Sequence, residues 1–123
     1  MQFEIQTYRG ISFTIPQTDL IDFAEKLNAR ELRTIAISNI VLNKQNIKAV
    51  SAIYSETETP VGVEYDIYTN ENTIIHAHVE NYDAPALSAA INDTTKQFVV
   101  IGDTLLNQNH VSMIAPTTTE TPA

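Results

Sequence analysis

Two stretches of the chain, AISNIVLNKQNIKAV at 36–50 and VIGDTLLNQNHVSMI at 100–114, repeat one pattern of short apolar runs broken at polar positions. Each predicts a strand, a tight turn, a second strand, an asparagine-rich turn and a third strand. The elements before them repeat as well. Residues 3–8 and 11–15 alternate around Arg9 and Gly10, which predicts a hairpin. Pro16 ends it, because proline cannot donate to a ladder. Thr18 or Asp19 can cap a helix whose apolar stripe is Leu20, Phe23, Ala24 and Leu27, spaced i, i+3, i+4 and i+7. A strand over 32–37 follows, apolar enough on both parities over 34–37 to lie centrally in a sheet. The turn at Ser38 and Asn39, the strand at 40–42, a one-turn helical loop at 43–46 and a strand at 47–54 complete the first half.

After the acidic connection ETETP at 56–60 the plan starts again. Strands are expected at 61–68 and 73–79. A helix capped by Asp83 carries Ala84, Leu87, Ala90 and Ile91 on one stripe, with Pro85 tolerated in its first turn. Strands at 97–101, 104–106 and 111–114 end the pattern. An offset of 64 positions aligns Asp19 with Asp83, Asn28 with Asn92, Leu42 with Leu106, Asn43 with Asn107, Ile47 with Val111 and Val50 with Ile114. Upstream it aligns Ile11, Phe13 and Ile15 with Ile75, Ala77 and Val79, with about two residues of slippage assigned to the hairpin turn. Agreement in cap, helix face, turn position and strand parity argues for an internal duplication. The expected fold is α+β: one compact domain over 1–115, built of two ββαββ-like halves at about 1–54 and 61–115. Its strands form a mixed sheet or pseudo-barrel with two short helices, and a flexible tail occupies 116–123.

Composition adds that the chain has no cysteine, so disulfides, thiolate metal sites and thiol nucleophiles are excluded. No stretch reaches the length of a membrane span, and MQFEIQTYRG alternates where a signal peptide has a basic start and an apolar run. A cytoplasmic protein without membrane contact is expected. Charge divides the halves more sharply than the total of −8 suggests: residues 1–54 carry six bases against five acids, and residues 55–123 carry ten acids and one base, Lys96. The first half is the place to look for an anionic partner.

Three sets of residues could carry chemistry. His76 and His78 share a strand face with Glu80, an arrangement able to contribute metal ligands if His110 or Asp83 joined it. The duplication favours a solvated face instead, because the first-half counterparts are Ser12, Thr14 and Pro16. Glu56, Glu58, Glu64, Asp66 and Glu71 are acids in a connection and on strand edges, with nothing to gather them for acid/base work. No nucleophile elbow and no phosphate loop occur, and only three glycines are present, so a non-enzymatic protein without cofactor is expected. The third set is basic: Lys26, Arg30, Arg33, Lys44 and Lys48 come from the end of the first helix, the next strand and the asparagine-rich turn. Beside Asn43, Gln45 and Asn46 they would suit a phosphate backbone with polar base contacts, as in single-stranded RNA recognition. Helix-dipole complementation and ordinary solubilising charge explain the same residues without a ligand. The overall acidity also fits an inhibitor that imitates nucleic acid, although its acids are sparse for that role.

The segment AISNIVLNKQNIKAVSAIYSE, with the length, acidity and Thr/Asn-rich end of the chain, resembles the small PrgU-type proteins of enterococcal conjugative plasmids. The resemblance covers most of the chain without a diagnostic motif and transfers no site residue. It implies a PUA-like RNA-binding fold and a regulator in the pheromone response, which restrains surface-adhesin production in conjugation by acting on transcripts. The alternative is a protein-interaction module, either a homodimer joined by sheet edges or an inhibitor presenting the acidic half. An RNA contact would fall on Lys26, Arg30, Arg33, Lys44 and Lys48 with Asn43 and Asn46.

Overall fold

A computed structural model describes residues 1–37, 39–93 and 95–117. Ser38, part of an expected turn, and residues 118–123, most of the expected tail, lie outside the described residues. The first half runs β1 (Gln2–Thr7), β2 (Ser12–Pro16), α1 (Leu20–Asn28), β3 (Thr34–Ile37), β4 (Ile40–Asn43) and β5 (Ile47–Ile53). The second half repeats it as β6 (Val63–Thr69), β7 (Ile74–Val79), α2 (Ala84–Asn92), β8 (Phe98–Ile101), β9 (Thr104–Asn107) and β10 (Val111–Pro116). Single 3-10 turns at Lys44–Asn46 and Gln108–His110 stand where the asparagine-rich turns were expected. Each half is therefore ββαβββ, one strand longer than the ββαββ unit. Among the described residues every ladder is antiparallel, so the sheets are not mixed. Among the described residues no helix is long and apolar enough to cross a membrane.

The local signals explain the elements. Asp19 caps α1 by accepting from Ile21 N at 2.9 Å and Asp22 N at 3.3 Å, and Asp83 caps α2 by accepting from Ala86 N at 3.1 Å. Asn43 and Asn107 each open a 3-10 turn by accepting from the amide two residues on, Gln45 N at 2.9 Å and Asn109 N at 3.1 Å. The two hairpins are also locked alike. Thr7 Oγ1 donates to Ile11 O, Thr69 Oγ1 donates to Thr73 O, and Ile5 faces Phe13 as Ile67 faces Ile75. Their registers place Phe13 opposite in role to Ile75 and Ile15 to Ala77, an offset of 62. The two-residue slip therefore lies between β7 and α2, not in the hairpin turn. An even slip keeps every side chain on its original face, so parity alone could not locate it.

Strand exchange between halves organises the core. A five-stranded sheet has the order β2-β1-β5-β9-β8, so the second half's β8–β9 hairpin completes the first half's sheet. One face of that hairpin, Phe98 and Leu105, packs with Phe3, Ile5, Leu27 and Val50 beneath α1. Its other face, Val99, Ile101 and Leu106, packs with Ile67, Ile75 and Ala77 of the three-stranded sheet β10-β6-β7, beside α2. Asn28, at the end of α1, secures the exchange: its Nδ2 donates to Phe98 O at 2.9 Å and its Oδ1 accepts from Phe98 N at 2.8 Å. The first half's hairpin is different. Among the described residues β3 pairs with β4 alone, so the expectation of a central strand at 34–37 is not met. Its Ile35 and Ile37 reach the first core, while Thr34 and Ala36 face out.

Candidate functional site

The basic residues divide into three environments. Arg30 and Arg33, both exposed, line a cleft of about 420 Å³ with Leu32, Asn43, Gln45 and Gln97, over the buried Lys44. One side is closed by reciprocal amide bonds, Gln45 Nε2 to Gln97 Oε1 at 3.2 Å and Gln97 Nε2 to Gln45 Oε1 at 2.8 Å. Among the described residues neither arginine lies within 4.0 Å of a carboxylate. Lys26 is exposed in the last turn of α1, whereas Arg30 lies beyond the extended cap residue Ala29, and Lys26 lines a separate cleft with Asp19 and Asp22. Those acids offset its charge.

Lys44 and Lys48 are committed to the fold. Lys44 is buried, and its Nζ donates at 2.7 Å to Ala29 O at the C-terminal end of α1, where a cation satisfies an orphan carbonyl. Lys48, half-buried on β5, is ion-paired with Glu71 in the β6–β7 turn and stands 5.8 Å from the Tyr8 ring centroid. Asn43 uses its carbonyl oxygen as a cap, and Asn46 accepts from Tyr8 N through its backbone oxygen at 2.9 Å. Of the seven expected contact residues, Arg30, Arg33, Asn43 and the buried Lys44 meet in one cleft. Lys48 and Asn46 belong to the seam between the halves.

His110 stands in that seam, edge-on to Tyr8 at 5.6 Å, with Glu71 and Lys48 as charged neighbours. Burial lowers its pKa below the ordinary 6.5, outweighing Glu71, which acts in the opposite direction, while Lys48 lowers it further. A depressed histidine pKa means that the unfolded chain binds the proton first. This contribution to stability is thus complete above about pH 6.5 and is lost as pH falls through the folded-state value. Urea midpoints measured from pH 7.5 to pH 5 are expected to fall more steeply for the parent chain than for His110→Asn, which installs the residue found at the equivalent Asn46.

The histidine strand meets partners that the linear pattern did not indicate. Register places Asp66 across from His76 and Glu64 across from His78. His76 Nδ1 lies 2.8 Å from Asp66 Oδ1 and 3.2 Å from Glu64 Oε2, and Thr117 Oγ1 donates to Asp66 Oδ1 at 2.5 Å. His78 Nδ1 lies 3.1 Å from Asp103 Oδ2, which also accepts from Tyr54 Oη at 2.7 Å. Burial, then Asp103, raises the Tyr54 pKa, so the phenol stays a donor. Among the described residues the ligand-type atoms gathered within 4.8 Å are those of Glu64, Asp66 and His76. Glu80, the expected third member, is not part of that group, and neither Asp83, committed to its helix cap, nor His110 in the seam joins it. One nitrogen and two oxygens suit a divalent cation, yet the same atoms already satisfy one another as hydrogen-bonded pairs. Asp103, whose sequence position indicates only a turn, is the residue that the cross-strand network adds.

No family model matches this chain, and neither a curated protein nor a solved structure matches it.

Proposed function

We propose that the protein is a non-enzymatic cytoplasmic regulator that binds single-stranded RNA at the cleft holding Arg30 and Arg33. The observation that supports this reading is the pair of exposed arginines, free of carboxylates among the described residues, beside the side-chain amides of Asn43, Gln45 and Gln97. Guanidinium groups grip phosphate bidentately or stack on bases, and amides read base edges. The role suggested by the PrgU-type resemblance, restraint of conjugation or surface-adhesin genes through their transcripts on a PUA-like scaffold, fits such a cleft. The contact set is revised to Arg30, Arg33 and Asn43, and Lys26, in a separate cleft beside Asp19 and Asp22, is left out of it.

The test is fluorescence anisotropy of a labelled single-stranded RNA. Arg30→Glu with Arg33→Glu is expected to weaken binding at least about tenfold, because two favourable phosphate contacts become repulsive. Two cations on phosphate predict a slope of log affinity against log salt of roughly −1.4 for the parent chain, falling in magnitude for the variant. Unchanged affinity in the double variant would remove the assignment. Lys44→Glu with Lys48→Glu is unsuitable here, since it would break the α1 terminus and the seam. A second reading, a protein-interaction module, is favoured by the outer edges of β4 and β10, unpaired among the described residues. A partner retained after nuclease treatment supports it over RNA.

A further inference from the structure

The two halves repeat one order of elements, but not one pattern of pairing. In the five-stranded sheet, β5 faces β9 with Ala49 opposite Leu106, Val50 opposite Leu105 and Ser51 opposite Thr104. Moving each residue by the 64-position offset gives the equivalent ladder between β10 and β4: Met113 opposite Leu42, Ile114 opposite Val41 and Ala115 opposite Ile40. That ladder is not formed among the described residues, where β10 pairs with β6 and β4 with β3. The side chains record the vacancy. Leu105 is 0% exposed and its counterpart Val41 is 73% exposed, while Ala49 is 0% exposed and its counterpart Met113 is 51%. The Asn28 clamp on Phe98 likewise has no equivalent between Asn92 and Thr34 among the described residues.

The place left open is a groove of about 300 Å³ between α2 and β10, lined by Tyr82, Ala84, Leu87, Ile91, Met113 and Ile114. In the first half the corresponding surface of α1 and β5 is covered by the β8–β9 hairpin, so the duplication itself identifies what fits the groove: a β3–β4 hairpin. We infer that the occupant is the β3–β4 hairpin of a second copy of this chain. Its β4 edge extends the partner's β10-β6-β7 sheet, and Val41 enters the partner's groove. Among the described residues each copy offers both the unpaired β4 edge and the open groove beside β10, and a two-fold dimer fills both at once and leaves neither for further copies. Leu42, buried in the first core, and Lys44, bonded to Ala29 O, hold the hairpin on its own half. The pairing is apolar on both sides, since β3 and β4 carry no ionisable side chain and the groove is lined by Tyr82, Leu87, Ile91, Met113 and Ile114. The inference stands on the broken symmetry and is independent of the RNA reading.

The absence of cysteine makes the test clean. Val41→Cys and Ile114→Cys are made in separate chains, as are Ile40→Cys and Ala115→Cys, so that damage from one substitution does not decide the outcome. Antiparallel partners lie at Cα separations that a disulfide accepts. Mixing the Val41→Cys and Ile114→Cys chains under mild oxidation is expected to give the mixed disulfide, and sedimentation of the unmodified full chain is expected to give twice the chain mass. Val41→Asp, at a side chain exposed in the single copy, should weaken self-association at least tenfold without lowering the melting temperature of the monomer. A monomer at 100 µM overturns the inference. So does a dimer that forms no mixed disulfide with either pair, and so does a chain carrying both Val41→Cys and Ile114→Cys that oxidises within itself as a monomer.

Discussion

Phe98→Ala is expected to lose about 3–5 kcal/mol, as for other buried aromatic truncations, and to unfold both halves together. Phe98 is 1% exposed and belongs by sequence to the second half, yet its ring packs with Phe3, Leu27 and Leu105 beneath the first half's helix. Its backbone is held at both polar groups by Asn28. Two halves folding separately would confine the damage to one of two transitions. A shared core predicts one transition at lower urea, followed alike by far-UV circular dichroism and by tyrosine absorbance, the chain having no tryptophan. A loss comparable to total domain stability of about 5–15 kcal/mol leaves the variant marginal. A loss below about 1 kcal/mol, or two separated transitions, would contradict the exchanged core.

Local structure was legible in the sequence and the exchange was not, for a physical reason. Caps, helix stripes and turns depend on residues a few positions apart, so Asp19, Asp83, Asn43 and Asn107 announced their roles directly. Offset and parity fixed which side chains share a face. They were silent on which strand lies beyond β5, because β4 and β9 carry nearly the same pattern and either would present apolar residues to that edge. The distinguishing signal was present in volume: Phe98, Val100 and Leu105 stand where the first half has Thr34, Ala36 and Val41, and of the larger set Phe98 and Leu105 are buried and Val100 packs partly buried against them. The fate of the basic cluster was hidden for a related reason. Lysines in a turn after a helix look like solvent-facing charge, whereas Lys44 reaches back to Ala29 O and Lys48 crosses to Glu71 of the other half. The arginines escaped that fate because Arg30 follows the last turn of α1 and Arg33 precedes β3, both on exposed chain.

Gly102→Ala is expected to cost about 2–5 kcal/mol and to take apart the His78 network, whereas Gly10→Ala is expected to cost only about 1–2 kcal/mol. Both glycines have positive φ, +79° at Gly10 and +59° at Gly102, so each substitution carries the left-handed penalty of an L residue. The surroundings separate them. A Cβ at Gly10 meets nothing within 4 Å, so the conformational term stands alone. A Cβ at Gly102 would lie 2.0 Å from His78 O, and that oxygen is backbone in β7, which cannot rotate away. Relief requires the β8–β9 turn to withdraw from β7. That movement pulls Asp103 N from His78 O, 3.3 Å apart, and Asp103 Oδ1 from His78 N, 2.9 Å apart. The Tyr54 hydroxyl, which donates to the same carboxylate, loses its acceptor, and its raised pKa should move back toward 10. Two measurements therefore test one contact: urea midpoints of the two glycine variants, and the tyrosine titration followed by absorbance. Equal losses at both positions, or an unchanged titration in Gly102→Ala, would mean that the turn does not press against β7 and that the two sheets are joined there by side chains alone.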